Sequence, residues 1–99
     1  MNTIRGYEVI YILDPSLPED EVQALQERFA EVARTHGGQV RDSTQWERRR
    51  LAYQIKGQRE GLYVIMNLAG EPATMTELDR TLRFTEPVLR HIIVRTDEK

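Results

Sequence analysis

None of the 99 positions holds a cysteine. That excludes a disulfide framework, a thiolate zinc site and a thiol nucleophile together. Long apolar runs are missing as well: nothing approaches the roughly 18 apolar residues that a membrane span needs. The opening stretch MNTIRGYEVIYILDP lacks the basic, apolar and small-residue succession of a signal peptide, because its apolar run breaks at Asp14-Pro15. It also lacks the Arg- and Ser-rich character of a transit peptide, so a cytoplasmic location is the expectation. No G-x-G-x-x-G, Walker or H-E-x-x-H motif occurs. The two histidines, His36 and His91, have no short-range ligand or triad spacing and are expected in structural or surface roles. Ser16 reads as a cap and Ser43 as a loop or strand-edge residue. Glu19, Asp20 and Glu21 complement the positive end of a helix dipole. No catalytic group, metal site or cofactor is expected.

What is present fits one globular domain over residues 1–99, with 39% hydrophobic and 30% charged residues. Net charge is −2, but the charge is segregated. Between Arg41 and Arg59 six basic residues face two acidic ones, whereas the rest of the chain has eight basic against fourteen acidic. Such an imbalance hints at one basic working edge on an acidic body.

The pattern of residues gives six elements. Tyr7 to Leu13 is aromatic and β-branched and stops at Asp14-Pro15, which predicts a strand. Ser16 with Glu19 has capping-box spacing, Val22, Leu25, Phe29 and Val32 form one apolar stripe, and Gly37-Gly38 supply a left-handed stop. From Gln39 to Leu68 two strand-like runs flank KGQRE as a long hairpin. Thr74 and Glu77 repeat the capping-box spacing ahead of a second stripe, Met75, Leu78 and Leu82. Pro87 to Arg95 closes as a strand, followed by a polar tail. The order β-α-β-β-α-β predicts an α+β, ferredoxin-like fold, with two helices on one face of a four-stranded, mainly antiparallel sheet. Its strand order, 4-1-3-2, puts the arginine-rich strand at an edge.

Chemistry concentrates in WERRRLAYQI, Trp46 to Ile55. A straight strand would set Trp46, Arg48, Arg50 and Ala52 on one face and Glu47, Arg49, Leu51, Tyr53 and Ile55 on the other. Leu51, Tyr53 and Ile55 are expected to point to the core. Arg48 and Arg50 would then project from the face away from the helices, beside Trp46, where they can fork onto phosphates or stack on bases. Spacing alone leaves a solvated, anti-pairing strand face equally open. Two other functions share this fold. An acylphosphatase-like enzyme has Arg5 and Asn67 to draw on, but its anion cradle would fall on the acidic turn LDPSLPEDEV. A small-molecule regulatory domain needs no short motif and stays open.

The residues resemble a known family. WERRRLAYQIKGQREGLYVIMNL is similar to the signature hairpin of bacterial small-subunit ribosomal protein six, in which Trp-Gly-x-Arg-x-Leu-Ala-Tyr-Pro-Ile runs into a strand like YVIMNL. GYEVIYILDP, with its Tyr7-Glu8 pair, and LRFTEPVLRHIIVRT extend the likeness over nearly the whole chain. The resemblance implies a ferredoxin-like fold, no enzymatic activity, and a structural role in the small ribosomal subunit. It implies binding of the rRNA central domain together with small-subunit ribosomal protein eighteen. Arg5, Arg48, Arg49, Arg50 and Lys56 are the RNA contacts it suggests, and Trp46, Tyr53 and Arg59 are assigned to the partner interface. Two positions depart from the signature. Glu47 stands where glycine is usual, and Gln54 replaces the usual proline and restores a backbone donor.

Overall fold

The computed structural model describes residues 4–96; of the polar tail, residues 97–99 lie outside the described residues. The elements follow in the expected order: β1 Arg5–Leu13, α1 Glu19–Thr35, β2 Gln39–Ile55, β3 Gln58–Gly70, α2 Pro72–Arg83 and β4 Val88–Arg95. All three strand pairings are antiparallel, in the order β2-β3-β1-β4.

The core lies between the sheet and the helices. β1 contributes Val9, Tyr11 and Leu13, and β3 contributes Val64, Met66 and Leu68, each set at the period-2 spacing that sends side chains to one face. Against them pack Val22, Phe29, Ala30 and Ala33 of α1 and Met75, Leu78 and Leu82 of α2. Tyr11 and Phe29 meet edge to face, with ring centroids 5.0 Å apart. Among the described residues the buried Tyr11 hydroxyl has no hydrogen-bond partner. Burial pushes its phenol up, and the adjacent Ser43 side chain offsets only part of that rise.

Both capping boxes expected from spacing are absent. Ser16 turns back on Asp14, with its amide 2.9 Å and its hydroxyl 2.7 Å from Asp14 Oδ1. The N-cap of α1 is Pro18, which carries no side-chain cap bond. Proline at 18 disfavours helical geometry in the preceding Leu17, so helix growth starts only at Glu19. α2 begins one turn earlier than the Thr74-Glu77 spacing suggests, with Pro72 in the first turn, where its missing N–H costs nothing. Thr74 is therefore inside the helix and buried, and its hydroxyl donates to His36 O at 2.7 Å, joining the start of α2 to the end of α1. Gly37 takes the left-handed conformation, φ 86°, as its place after the helix requires.

Candidate nucleic-acid and partner interface

The hairpin of β2 and β3 carries the site, and its register decides what each side chain faces. Gln45 pairs with Val64, but Glu47 pairs with Tyr63, so Trp46 is an extra residue on β2. A bulge of one residue shifts the alternation that follows it. Val64 points to the helices, so Ser43 and Gln45 do too. Gln26 of α1 accordingly donates to Ser43 O at 3.3 Å, and Gln45 donates to Glu19 and Gln26 at 2.9 and 3.0 Å. Beyond the bulge, Arg48 pairs with Leu62 and Arg50 with Glu60, on the helix side, while Glu47 and Arg49 pair with Tyr63 and Gly61 on the open face.

This inverts the expected orientation. Arg48 and Arg50 do not project from the face away from the helices: Arg48 Nη2 donates to Pro15 O, 3.0 Å away, in the turn between β1 and α1. Both arginines stay exposed because the hairpin runs past the end of the helical layer. Trp46 leaves their face and joins Arg49 on the open side. Its ring meets Tyr63 edge to face at 6.0 Å, and the Arg49 guanidinium lies 5.1 Å from the Trp46 centroid and 5.6 Å from that of Tyr63. Glu47, where the family signature has glycine, pairs with Arg49 at 3.2 Å.

Leu51 and Tyr53 lie on the open face with Arg49 and not in the core, whereas Ile55 re-enters the ladder opposite Gln58, in phase with Glu60 on the helix side. Leu51 is half-buried and Tyr53 is 62% exposed. Leu51 closes over Ile12 and Gly61, and a Cβ on Gly61 would meet Ile12 Cγ2 at 2.2 Å. Glycine is required there by close approach. Four residues, Leu51 to Gln54, loop out of the ladder between the pairs Arg50–Glu60 and Ile55–Gln58. With its amide oriented to satisfy both groups, Gln54 accepts from Arg59 Nε and Nη2 at 3.1 and 3.3 Å. The turn is Lys56-Gly57, with φ 50° and 81°, a pair of positive angles suited to a two-residue hairpin. KGQRE is thus a two-residue turn followed by strand. Lys56 Nζ reaches Val88 O at 3.1 Å and Arg90 Nη1 reaches the Tyr53 hydroxyl at 2.6 Å, so the hairpin end is tied across the sheet to β4.

Arg48, Arg49, Arg50, Lys56 and Arg59 are brought together at this end. Arg5 is not: it pairs with Gly70 at the opposite end of β1, about eight strand steps or ~26 Å from Leu13. Sequence reasoning missed Arg90, Ile10, Ile12 and Ile92, which complete the open face. Alternation in VLRHIIVR is the signal that pairs Arg90 with Ile92. The histidines are engaged locally: His36 Nδ1 lies 2.9 Å from Val32 O, and His91 Nε2 lies 2.7 Å from Asp79 Oδ1. Among the described residues no group of three or more His, Asp or Glu side chains is placed to hold a metal, and no helix is long and apolar enough to cross a membrane.

The fold alone chooses no function, but among the described residues a basic hairpin end and an exposed, aromatic-bearing face, with no metal cluster, are features of an interaction domain. The family model for ribosomal protein S6 matches residues 6–95. The chain belongs to that family. It is 42% identical to small ribosomal subunit protein bS6 of Desulforamulus reducens, over 96% of this chain and all of that one. It is 48% identical to bS6 of Mycolicibacterium paratuberculosis, over 96% of this chain and 99% of that one. The crystal structure of 30S ribosomal protein S6 from Thermotoga maritima superposes with a TM-score of 0.87 at 27% identity, covering 95% of this chain and 89% of that one. These relatives decide between the ribosomal and the regulatory readings that the sequence left open. The chain is a bacterial small-subunit ribosomal protein, with the ribosome as its location, from a family whose role is structural.

Proposed function

We propose that this chain acts as a structural component of the small subunit by binding the central domain of its rRNA jointly with small-subunit ribosomal protein eighteen, without enzymatic activity. The observation that carries this reading is the sorting of the hairpin by the Trp46 bulge. Arg48 and Arg50 lie exposed on one side, and Trp46, Arg49 and Tyr53 lie exposed on the other. Two surfaces of different chemistry suit two partners.

Arg48 and Arg50 supply charge-assisted contacts to phosphate, while Lys56 holds the hairpin end in place and Arg59 braces it through Gln54. The aromatic and apolar open face suits a protein better than a phosphate backbone. Arg49, stacked on Trp46 and paired with Glu47, belongs with that protein-facing surface. Arg5, at the far end of β1, lies outside this joint surface. An acidic subunit becomes competent by sharing the RNA surface with a basic partner: protein contact orients the pair and the joint surface meets RNA.

The test is binding to central-domain rRNA across a salt series, with and without protein eighteen. Partner-dependent, salt-sensitive binding is expected. Each phosphate-binding arginine replaced by alanine should reduce the log–log salt slope by about 0.9 on duplex-like RNA or about 0.7 on single strands. Unchanged assembly of the Arg48→Ala, Arg50→Ala double variant would remove these side chains from the RNA contact.

A further inference from the structure

β2 and β4 form the two edges of the sheet, and they are finished differently. The ladder of β2 is broken by the extra residue at Trp46, by another at Arg41 between the pairs Val40–Leu68 and Asp42–Asn67, and by residues 51–54. Arg41, Asp42, Glu47, Arg48, Arg49 and Arg50 are exposed along it. Bulges and charge of this kind discourage another strand from adding to an edge.

β4 has one irregularity, at Leu89, and is regular beyond it: its six pairs with β1 from Tyr7–Arg95 to Ile12–Arg90 run without a break. The two polar side chains inside the strand are drawn away from the edge. Arg90 Nη1 donates to the Tyr53 hydroxyl at 2.6 Å, towards β2, and His91 Nε2 lies 2.7 Å from Asp79 Oδ1 of α2. Main-chain direction follows from one bond. Thr96 N donates to Gly6 O at 2.9 Å, and hydrogen-bonded pairs recur at every second residue of an antiparallel ladder. Val94, Ile92 and Arg90 therefore bond to β1, and His91 and Ile93 turn their N–H and C=O groups outward. Among the described residues no main-chain group meets them there. Beside this edge stand two exposed apolar side chains, Ile92 at 55% and Val94 at 39%.

We infer that this edge receives β4 of a second copy of the chain, antiparallel and in one register. Pairing residue 91 with 93, 89 with 95, and 92 with itself overlaps the whole strand Val88–Arg95 about a two-fold axis at Ile92. His91 and Ile93 then exchange main-chain bonds across the seam. The Ile92 pair is of the non-hydrogen-bonded kind, in which side chains approach most closely, so the two isoleucines cover each other. Arg90 of each copy lies opposite Val94 of the other and lays its aliphatic stem over it. The two Arg90 side chains are four strand steps apart, about 13 Å, beyond the screening length of about 8 Å at physiological salt. The neighbouring registers are poorer: one sets Ile92 opposite Arg90, and the other pairs only residues 91–95. A strand of another protein would need an apolar centre with no like charge opposite Arg90, and the two-fold supplies both from β4 itself. Only one strand edge is buried, so the pair is weak and reversible, with a Kd on the order of 100 μM.

This self-pairing concerns the free chain and stands apart from the proposed RNA and partner binding. Sedimentation equilibrium of the full chain from about 10 μM to about 1 mM should show the mass rise from monomer towards dimer. Over the same range hydrogen exchange at the His91 and Ile93 amides should slow by roughly fivefold, as the monomer fraction falls. Ile92→Lys and Ile92→Glu change an exposed position, and thermal melts confirm that each folds. Each should weaken pairing by at least about tenfold, and an equal mixture should recover part of the loss, because the axis sets lysine against glutamate. A chain that is monomeric at the top of the range overturns the inference. A dimer whose His91 and Ile93 amides gain no protection, or one indifferent to Ile92→Lys, uses another surface and overturns it equally. No recovery in the mixture removes the two-fold register and the inference with it.

Discussion

Arg49 lies with its guanidinium 5.1 Å from the centroid of the Trp46 ring, an arrangement that exists because the bulge at Trp46 turns both side chains to the same face. Trp46 is the chain's one tryptophan and is 51% exposed. Its fluorescence therefore reports on that face alone. Docking of a protein partner should shift the emission to the blue and shield it from iodide quenching. Arg49→Ala should raise quenching in the free chain, with little change in melting temperature, because an exposed cation–π contact contributes only about 0.5–1 kcal/mol.

Gly61 is the tightest point on the open face. Gly61→Ala should destabilise the chain by about 1–3 kcal/mol, since its Cβ cannot coexist with Ile12 Cγ2 at 2.2 Å. Ile12→Ala makes room, so the double variant should lose less than the two single losses combined. Denaturant midpoints of the four proteins measure that coupling.

The buried Tyr11 hydroxyl lacks a partner among the described residues, so Tyr11→Phe should leave stability unchanged or raise it by up to about 1–3 kcal/mol. The edge-to-face contact with Phe29 survives that change. A clear loss of stability would show that the hydroxyl finds a partner, such as Ser43 or a water molecule, in solution.

Leu51→Ala should cost less than the 2–5 kcal/mol typical of a fully buried leucine, about 1–2 kcal/mol, because Leu51 is half-buried over Ile12. Urea titration against Leu78→Ala, at a fully buried site, gives the comparison.

Asp79 links α2 to β4. The hydrogen bond with His91 holds its carboxyl below the usual range; partial burial opposes this, and the contact with Arg83 reinforces it. A depressed folded-state value means that the unfolded chain takes up the proton first as pH falls. The stabilisation is thus fully present above the ordinary aspartate value, about 3.9, and is lost as pH falls through the lower folded value. Asp79→Asn should cost at most about 1 kcal/mol at pH 7, since the group is partly exposed, and the difference should close on acidification. Denaturant midpoints at pH 7 and in the acid range check the sign.

Much of this molecule is legible in its residues. The two helical stripes, the Gly37 stop and the β-branched and aromatic runs of β1, β3 and β4 are local signals: the stripes report which face of each helix is apolar, and the runs mark strands without choosing a face. Their order limits the topology to the ferredoxin-like arrangement that is observed. The helix starts were misread because Ser16 and Thr74 had the right spacing but better partners: Asp14 for one, the distant His36 carbonyl for the other. Capping-box spacing says nothing about such competition.

The site was half legible. That WERRR concentrates positive charge on this hairpin follows from charge along the chain, and that Trp46 and Arg49 share a face does not follow from alternation. Which face that is depends on the phase of β2 against β3, and one extra residue at Trp46 reverses it. No local pattern in β2 marks the bulge, because the bulge is a property of the pairing and not of the strand. The grouping of Ile12, Tyr63 and Arg90 on that face is further out of reach, since the three come from different strands and meet only through register. The sequence by itself determined the elements, their order and the positive hairpin. The tertiary structure alone decided which side each arginine serves, because side-chain direction in a sheet is set by the partner strand.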